Sequence, residues 1–372
     1  IYFIAISYGV LASILINYGT SQTSVIELRR AKSKHQLMEI CIETIALRFP
    51  PFLISIIITL YLAFFKSNGI YYLAIIPMLI TELINPQFYL IANYKINRYS
   101  FLNVIIKVSV LALIFFYKSN DHIIFIALFF TGLGNFLLNV FYFKPVFYSP
   151  KFDKYCPKLN RLIKLFKING LIVGNGITVH LQQSLFLFAL PTFANPIFLS
   201  AYGLIDKLIS SFRMIVNAYS TAVMPKATGE HLQGNQQWRN LKRRQNAILS
   251  ISCIIAGFIL FFYPKLVLTI LLFGKATIEV NFMLEAVRLL KLISLVPLLI
   301  ALNVLNVTEL ILEKKFTSYF VAGLIVLFFA SLFILFIYFG LPRYTLGYYP
   351  MIIEGACLVI YFLIIQNNRS NA

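Results

Sequence analysis

Long apolar runs, each close to the length of a bilayer crossing, alternate along this chain with short polar connectors, and every second connector is basic. The basic ones hold Arg29, Arg30, Lys32 and Lys34; Lys95 and Arg98; Lys144, Lys151, Lys154, Lys158, Arg161, Lys164 and Lys167; Lys226, Arg239, Lys242, Arg243 and Arg244; and Lys314 and Lys315. The connectors between them hold Lys66, Lys118, Lys265, Lys275 and Arg343. Arg48 and Arg369 are counted with the basic side. Short cytoplasmic loops collect Lys and Arg, so the basic side is read as cytoplasmic. The chain is expected to be a polytopic membrane protein of fixed orientation, with a cytoplasmic C-terminus.

Composition agrees. A chain that is 60% hydrophobic and 12% charged, with mean hydropathy +0.83, is no ordinary soluble domain. The net charge of +19 follows from the loop asymmetry. Its dispersal over separate loops argues against nucleic acid as a partner. Cys41, Cys156, Cys253 and Cys357 form no CxxC pair, so neither a disulfide framework nor a metal site is indicated.

A spanning helix needs about 20 apolar residues. Eleven spans are predicted, at 1–19, 47–65, 70–92, 102–118, 122–142, 169–190, 198–224, 246–263, 285–308, 318–339 and 346–365. The runs are continuously apolar rather than alternating, which favours helices over a barrel. The chain begins inside an apolar run without Met, and the odd count leads to the expectation that a first helix precedes Ile1. The long basic connector then divides the protein into an N-terminal lobe (1–145), a cytoplasmic linker (146–168) and a C-terminal lobe (169–372). Six spans to a lobe is a transporter layout. No residue-level repeat stands out between the halves, so the symmetry rests on counting spans.

One helix carries the most information. Over 204–223, at 100° per residue, Ser220, Arg213, Asp206, Asn217, Ser210, Thr221, Met214, Lys207 and Ser211 fall within an arc of about 180°. Leu204, Ile205, Leu208, Ile209, Phe212, Ile215, Val216 and Tyr219 fill the other half. Ionisable groups in hydrocarbon are costly, so the polar arc must face protein or a wet cavity. Asp206 and Arg213 read either as site residues or as a packing network. Lys207 lies about 100° from Asp206 and is an anion-site candidate. In the preceding span Asn175, Thr178 and Gln182 form a stripe that suits sugar hydroxyls or a neighbouring helix equally. His180 reads as structural. Glu82 sits mid-span near Asn85-Pro86, where a kink is expected. Glu285 is placed to pair with Arg288 at i+3. Glu354 in the last span reads as isolated.

Four stretches resemble the Wzx-type O-antigen and polysaccharide flippases of the multidrug/oligosaccharidyl-lipid/polysaccharide exporter superfamily. They are ISYGVLASILINYGTSQTSVIELRR (6–30), NPQFYLIANYK (85–95), SAYGLIDKLISSFRMIVNAYSTAVMPK (200–226) and 273–312. They are similar to the family's second, fourth, eighth and tenth helices. The resemblance implies an all-α membrane bundle of two six-helix lobes in a MATE/MOP-like V shape, set in a bacterial inner membrane. It implies a flippase that moves an undecaprenyl-pyrophosphate-linked glycan between leaflets by alternating access. Asp206-Lys207 matches the family's eighth-helix pair, with Asp where Glu is usual. On this reading Lys207 and Arg213, oriented by Asp206, attract the pyrophosphate. Asn217, Ser210, Thr221, Asn175 and Gln182 bond the sugars. Membrane lipids, a polysaccharide polymerase and a chain-length regulator are the other expected partners. No nucleotide motif is present, so direct ATP hydrolysis is not expected, and a flippase implies no cofactor and no enzymatic activity. Two alternatives stay open: a cation-coupled multidrug antiporter of the same superfamily, which would want cavity carboxylates, and a polytopic polysaccharide polymerase, which would want a sizeable outward loop.

Overall fold

The computed structural model describes residues 2–65, 69–116, 123–147, 157–272, 279–340 and 343–370. Lys66, Lys118, Lys151, Lys154, Cys156 and Lys275 lie outside them. Among the described residues every regular element is a helix. Within a bilayer this is required, because a single segment can close all its backbone hydrogen bonds only as a helix.

The first part of the chain forms α1 (Tyr2–Asn17), α2 (Thr20–Arg30), α3 (Lys34–Phe65), α4 (Ile70–Leu73), α5 (Ile76–Leu83), α6 (Gln87–Ala92), α7 (Ile96–Phe116) and α8 (Ile123–Phe147). Then come α9 (Leu159–Phe193), α10 (Pro196–Gln233), α11 (Asn235–Phe262), α12 (Pro264–Leu271), α13 (Val280–Leu292), α14 (Val296–Leu312), α15 (Phe316–Tyr338) and α16 (Tyr349–Ser370). Each of the eleven expected spans falls on one of these helices or on a broken set of them. Among the described residues, eight spans are long and apolar enough to cross a membrane, and α13–α14, bent by 41°, makes a ninth. The other two are α1, with 16 residues, and α10, whose polar face sets it apart.

The helices form two compact units, Ile1–Val173 and Gly174–Ala372, divided within α9. Part of the expected linker at 146–168 is therefore not a connector. Residues 159–168 are the first turns of α9 and pack into the N-terminal unit. Arg161 Nε lies 2.9 Å from Glu43 Oε1, Thr23 donates to Asn169 Oδ1 at 2.8 Å, and Tyr18 stacks on Phe166.

The N-terminal unit is held at a break. Pro86 has no N–H, so the Glu82 carbonyl loses its helical donor, and α5 ends at Leu83. Arg48 of α3 supplies the missing bonds. Its Nη1 donates to the carbonyls of Glu82 (3.2 Å) and Asn85 (2.9 Å), and its Nε donates to Thr20 Oγ1 (2.8 Å). The guanidinium also sits over the Phe88 ring. The expected kink is present. Arg48, counted with the basic side from the sequence, is not a solvated loop charge but a buried side chain, only 2% exposed. An arginine can be buried here because freed carbonyls and a π-face replace its water.

The two units share a residue-level pattern that the sequence reading did not find. Pro77 and Pro297 both stand at the second position of a helix after a break, in α5 and α14. At the same interval follow Leu79 and Leu299, Leu90 and Leu310, Ile91 and Ile311, Lys95 and Lys315, and Tyr99 and Tyr319. The helix ends correspond bond for bond. Tyr94 (φ 57°) and Lys314 (φ 58°) are both left-handed. Lys95 donates to Leu90 and Lys315 to Leu310, each at 2.8 Å. Tyr94 donates to Ile91 and Lys314 to Ile311, each at 3.1 Å. This is a Schellman cap without the usual glycine.

Candidate functional site: the polar face of α10

α10 begins where Asn195 accepts the Phe198 N–H at 2.7 Å with Pro196 at the first helical position. It ends at Gly234, φ 147°. Ala201, Tyr202, Ile205, Ile209 and Val216 are buried, so the centre of the apolar arc is turned into the C-terminal unit, while Ile215 at its edge is 66% exposed. On the polar arc Lys207, Ser211, Asn217 and Thr221 are exposed, and Asp206, Ser210, Arg213 and Ser220 are half-buried.

The arc divides into paired and unpaired groups. Arg213 donates to Glu354 Oε1 of α16 through Nε (3.0 Å) and Nη2 (2.8 Å). Glu354 is thus not isolated, which corrects the sequence reading. Asn303 Nδ2 of α14 donates to the Glu354 carbonyl at 3.1 Å, tying the loaded turn of α16 to α14. Ser220 and Thr308 share a hydrogen bond of 3.0 Å, joining α10 to α14 a second time. Arg213 therefore spends its charge inside the unit, contrary to its expected role as a free anion site. Asp206 has Arg213 and Lys207 as its charged neighbours, yet closes an ion pair with neither. Lys207 has no ion pair among the described residues, and only its carbonyl is engaged, accepting from Ser211 at 2.9 Å. Thr221 donates to the Asn217 carbonyl at 2.8 Å, leaving the Asn217 amide exposed.

Asn175 and Gln182 are not on this surface. Both are buried, at 1% and 4% exposure. A Cβ on Gly323 of α15 would lie 2.1 Å from Asn175 Oδ1 and 2.5 Å from Thr178 Oγ1. The stripe on α9 is therefore a close helix–helix contact made possible by a glycine. Tyr349 donates to the Gln182 carbonyl and stacks on Phe186 at 3.9 Å, and Phe186 meets Tyr202 edge-on. These aromatic partners, and Asn303, were missed because nothing in their local sequence points to one another. Glu354 had one signal, since a membrane-embedded charge calls for a partner.

Further ion pairs lie in the same unit, among them Lys242–Glu309, Glu285–Arg288 and Glu313–Lys315. Lys242 Nζ lies 2.5 Å from Glu309 Oε2 and 2.6 Å from Asn306 Oδ1, so this lysine is bound within the bundle rather than in a loop. Glu285 and Arg288 pair at 3.7 Å as expected. Cys41, Cys253 and Cys357 are buried free thiols.

No known protein family and no curated protein matches the sequence. Solved structures do match the fold. A crystal structure of a MATE protein in the bent conformation superposes with TM-score 0.73 at 10% identity, covering 100% of this chain and 86% of that one. A Pyrococcus furiosus transporter of the MOP superfamily gives 0.73 at 12%, with the same coverage. The eukaryotic MATE transporter AtDTX14 gives 0.74 at 14%, covering 97% and 86%. At such identities the likeness is one of fold: an all-helical, multi-pass membrane bundle of MATE type.

Proposed function

We propose that this protein is a transporter that carries a polyprenyl-pyrophosphate-linked oligosaccharide from the inner to the outer leaflet, and that the exposed polar face of α10 meets the head group. One observation carries the reading. A helix amid membrane spans turns most of its apolar arc inward and exposes Lys207, Ser211, Asn217 and Thr221. Such a face is unfavourable against lipid and suits a hydrated cargo. A glycan head cannot cross hydrocarbon with its hydroxyls and pyrophosphate stripped of water. Amide and hydroxyl groups replace that water for the sugars, and the Lys207 ammonium does so for the phosphates. Arg213 serves differently, by fixing α10 against α16 through Glu354. The membrane potential assists an outward-moving anion by about 2.3 kcal/mol per charge per 100 mV. In the Pyrococcus furiosus transporter of similar fold, reverse polarity of the binding pocket suggests a different function.

A cation-coupled multidrug antiporter is the second reading. The MATE structures favour it, as does the carboxylate of Asp206, which closes no ion pair among the described residues. Glycan export and ethidium efflux measured together in a deletion strain separate the two. On the first reading Lys207→Ala abolishes export at normal protein abundance, Lys207→Arg restores part of it, and Asp206→Asn leaves efflux unchanged. Loss of efflux with Asp206→Asn, alongside normal export by Lys207→Ala, would establish the antiporter.

A further inference from the structure

The second unit repeats the first but leaves open a junction that the first closes. In the N-terminal unit α3, α6 and α8 meet over Phe88 and Phe143, whose centroids are 6.2 Å apart, with Arg48 above Phe88. All three side chains are among the largest that are fully buried. The corresponding helices of the C-terminal unit are α11, α14 and α16. They enclose a cleft of about 470 Å³ instead. Phe143 of α8 is 0% exposed, whereas Phe362, in the last helix of its own unit, is 60% exposed and lines the opening.

The cleft has two kinds of wall. Leu302, Leu358, Phe362 and Ile365 make one side, and Lys242, Asn246, Asn306 and Gln366 the other. Lys242 and Asn246 also border a second cavity of about 320 Å³ along the first turns of α11, with Arg239 and Arg243. Arg239 and Arg243 are exposed and have no ion pair among the described residues. Lys242 is set between the two cavities by Glu309 and Asn306. The cleft lies where α11 begins and α16 ends, which the loop charges assign to the cytoplasmic leaflet.

We propose that this cleft and the adjoining cavity together hold an acidic membrane phospholipid, with its phosphate in the smaller cavity at Arg239 and Arg243 and one acyl chain along the Leu358–Phe362 wall of the cleft. Guanidinium forks bind phosphate oxygens in pairs, and basic side chains at the cytoplasmic surface attract anionic lipid. The volume is in the range of ligand pockets. An apolar wall adjoining the cationic rim fits a lipid and gives no advantage to a soluble anion. The proposal depends on the fold of one unit and not on which cargo is transported.

Native mass spectrometry of the delipidated, detergent-purified full chain tests it. Phosphatidylglycerol is titrated, with phosphatidylcholine and inorganic phosphate as parallel arms. Phosphatidylglycerol should bind about tenfold more tightly than phosphatidylcholine, because choline sets a cation against the arginines. Inorganic phosphate should not displace it. Arg239→Ala with Arg243→Ala should remove the preference, and Leu358→Trp should block the lipid by filling the cleft. If Leu358→Trp does not fold, the arginine pair decides, since both side chains are exposed. Equal binding of both lipids, displacement by inorganic phosphate, or an unchanged preference in the arginine variant would overturn the proposal. Displacement by an equal concentration of polyprenyl pyrophosphate would do so too, by reassigning the cleft to cargo.

Discussion

Arg213 and Glu354 each stand out in the sequence as a charge inside an apolar segment, but their meeting does not, because 141 residues separate them. What a single chain shows locally is that a charge needs a partner; which partner is a property of the packed unit. The same limit explains Asn175 and Gln182, whose amides read as sugar ligands until Gly323 is seen against Asn175. The polar arc of α10 was legible because helical periodicity alone defines it. The pair yields a prediction. Arg213→Met or Glu354→Leu alone leaves an uncompensated charge among aromatic rings and should cost about 3–5 kcal/mol. The double replacement should recover most of that. Thermal unfolding in detergent checks this, and a double variant no more stable than the sum of the singles would refute a direct coupling.

At the level of the helix, the sequence marked the rods well because each is a continuous apolar run bounded by polar residues. It did not mark the ends. Tyr94 and Lys314 take a left-handed conformation that favours glycine, so no glycine signalled the paired caps. Lys314→Gly removes that strain at an exposed site and should stabilise by about 1 kcal/mol, seen as a higher unfolding temperature. Glycines within helices should behave in opposite ways according to what they face. A Cβ at Gly257 would lie 2.4 Å from the Ser294 carbonyl, whereas Gly203 has nothing within 4 Å. Gly257→Ala should therefore lower the unfolding temperature. Gly203→Ala should raise it, by the roughly 0.5–1 kcal/mol that alanine gains over glycine in a helix. If both shift the same way, close approach is not what separates them.

For the molecule as a whole, loop charge and span count led to an all-helical membrane bundle, and the fold agrees. Orientation has its own test. In a cysteine-free background, Lys226→Cys should resist an impermeant maleimide in intact cells and react after permeabilisation; labelling in intact cells would invert the topology. The Arg48 arrangement bears on how such a protein is made. Arg48 leaves the ribosome 37 residues before Asn85, one of the carbonyls that holds it. At 5–20 residues per second, that is about two to seven seconds during which the α3 segment carries an unmatched charge. Insertion scales set the penalty at about 2.5–3.5 kcal/mol for an arginine at the centre of a span, which is an upper bound for Arg48 near the start of its own. Nascent α3 is therefore expected to linger beside the translocon until its partner segment around Glu82–Asn85 emerges. A force-profile measurement should show a pull at the length where residues 82–88 enter the membrane, and Arg48→Leu should shift that pull to shorter nascent chains.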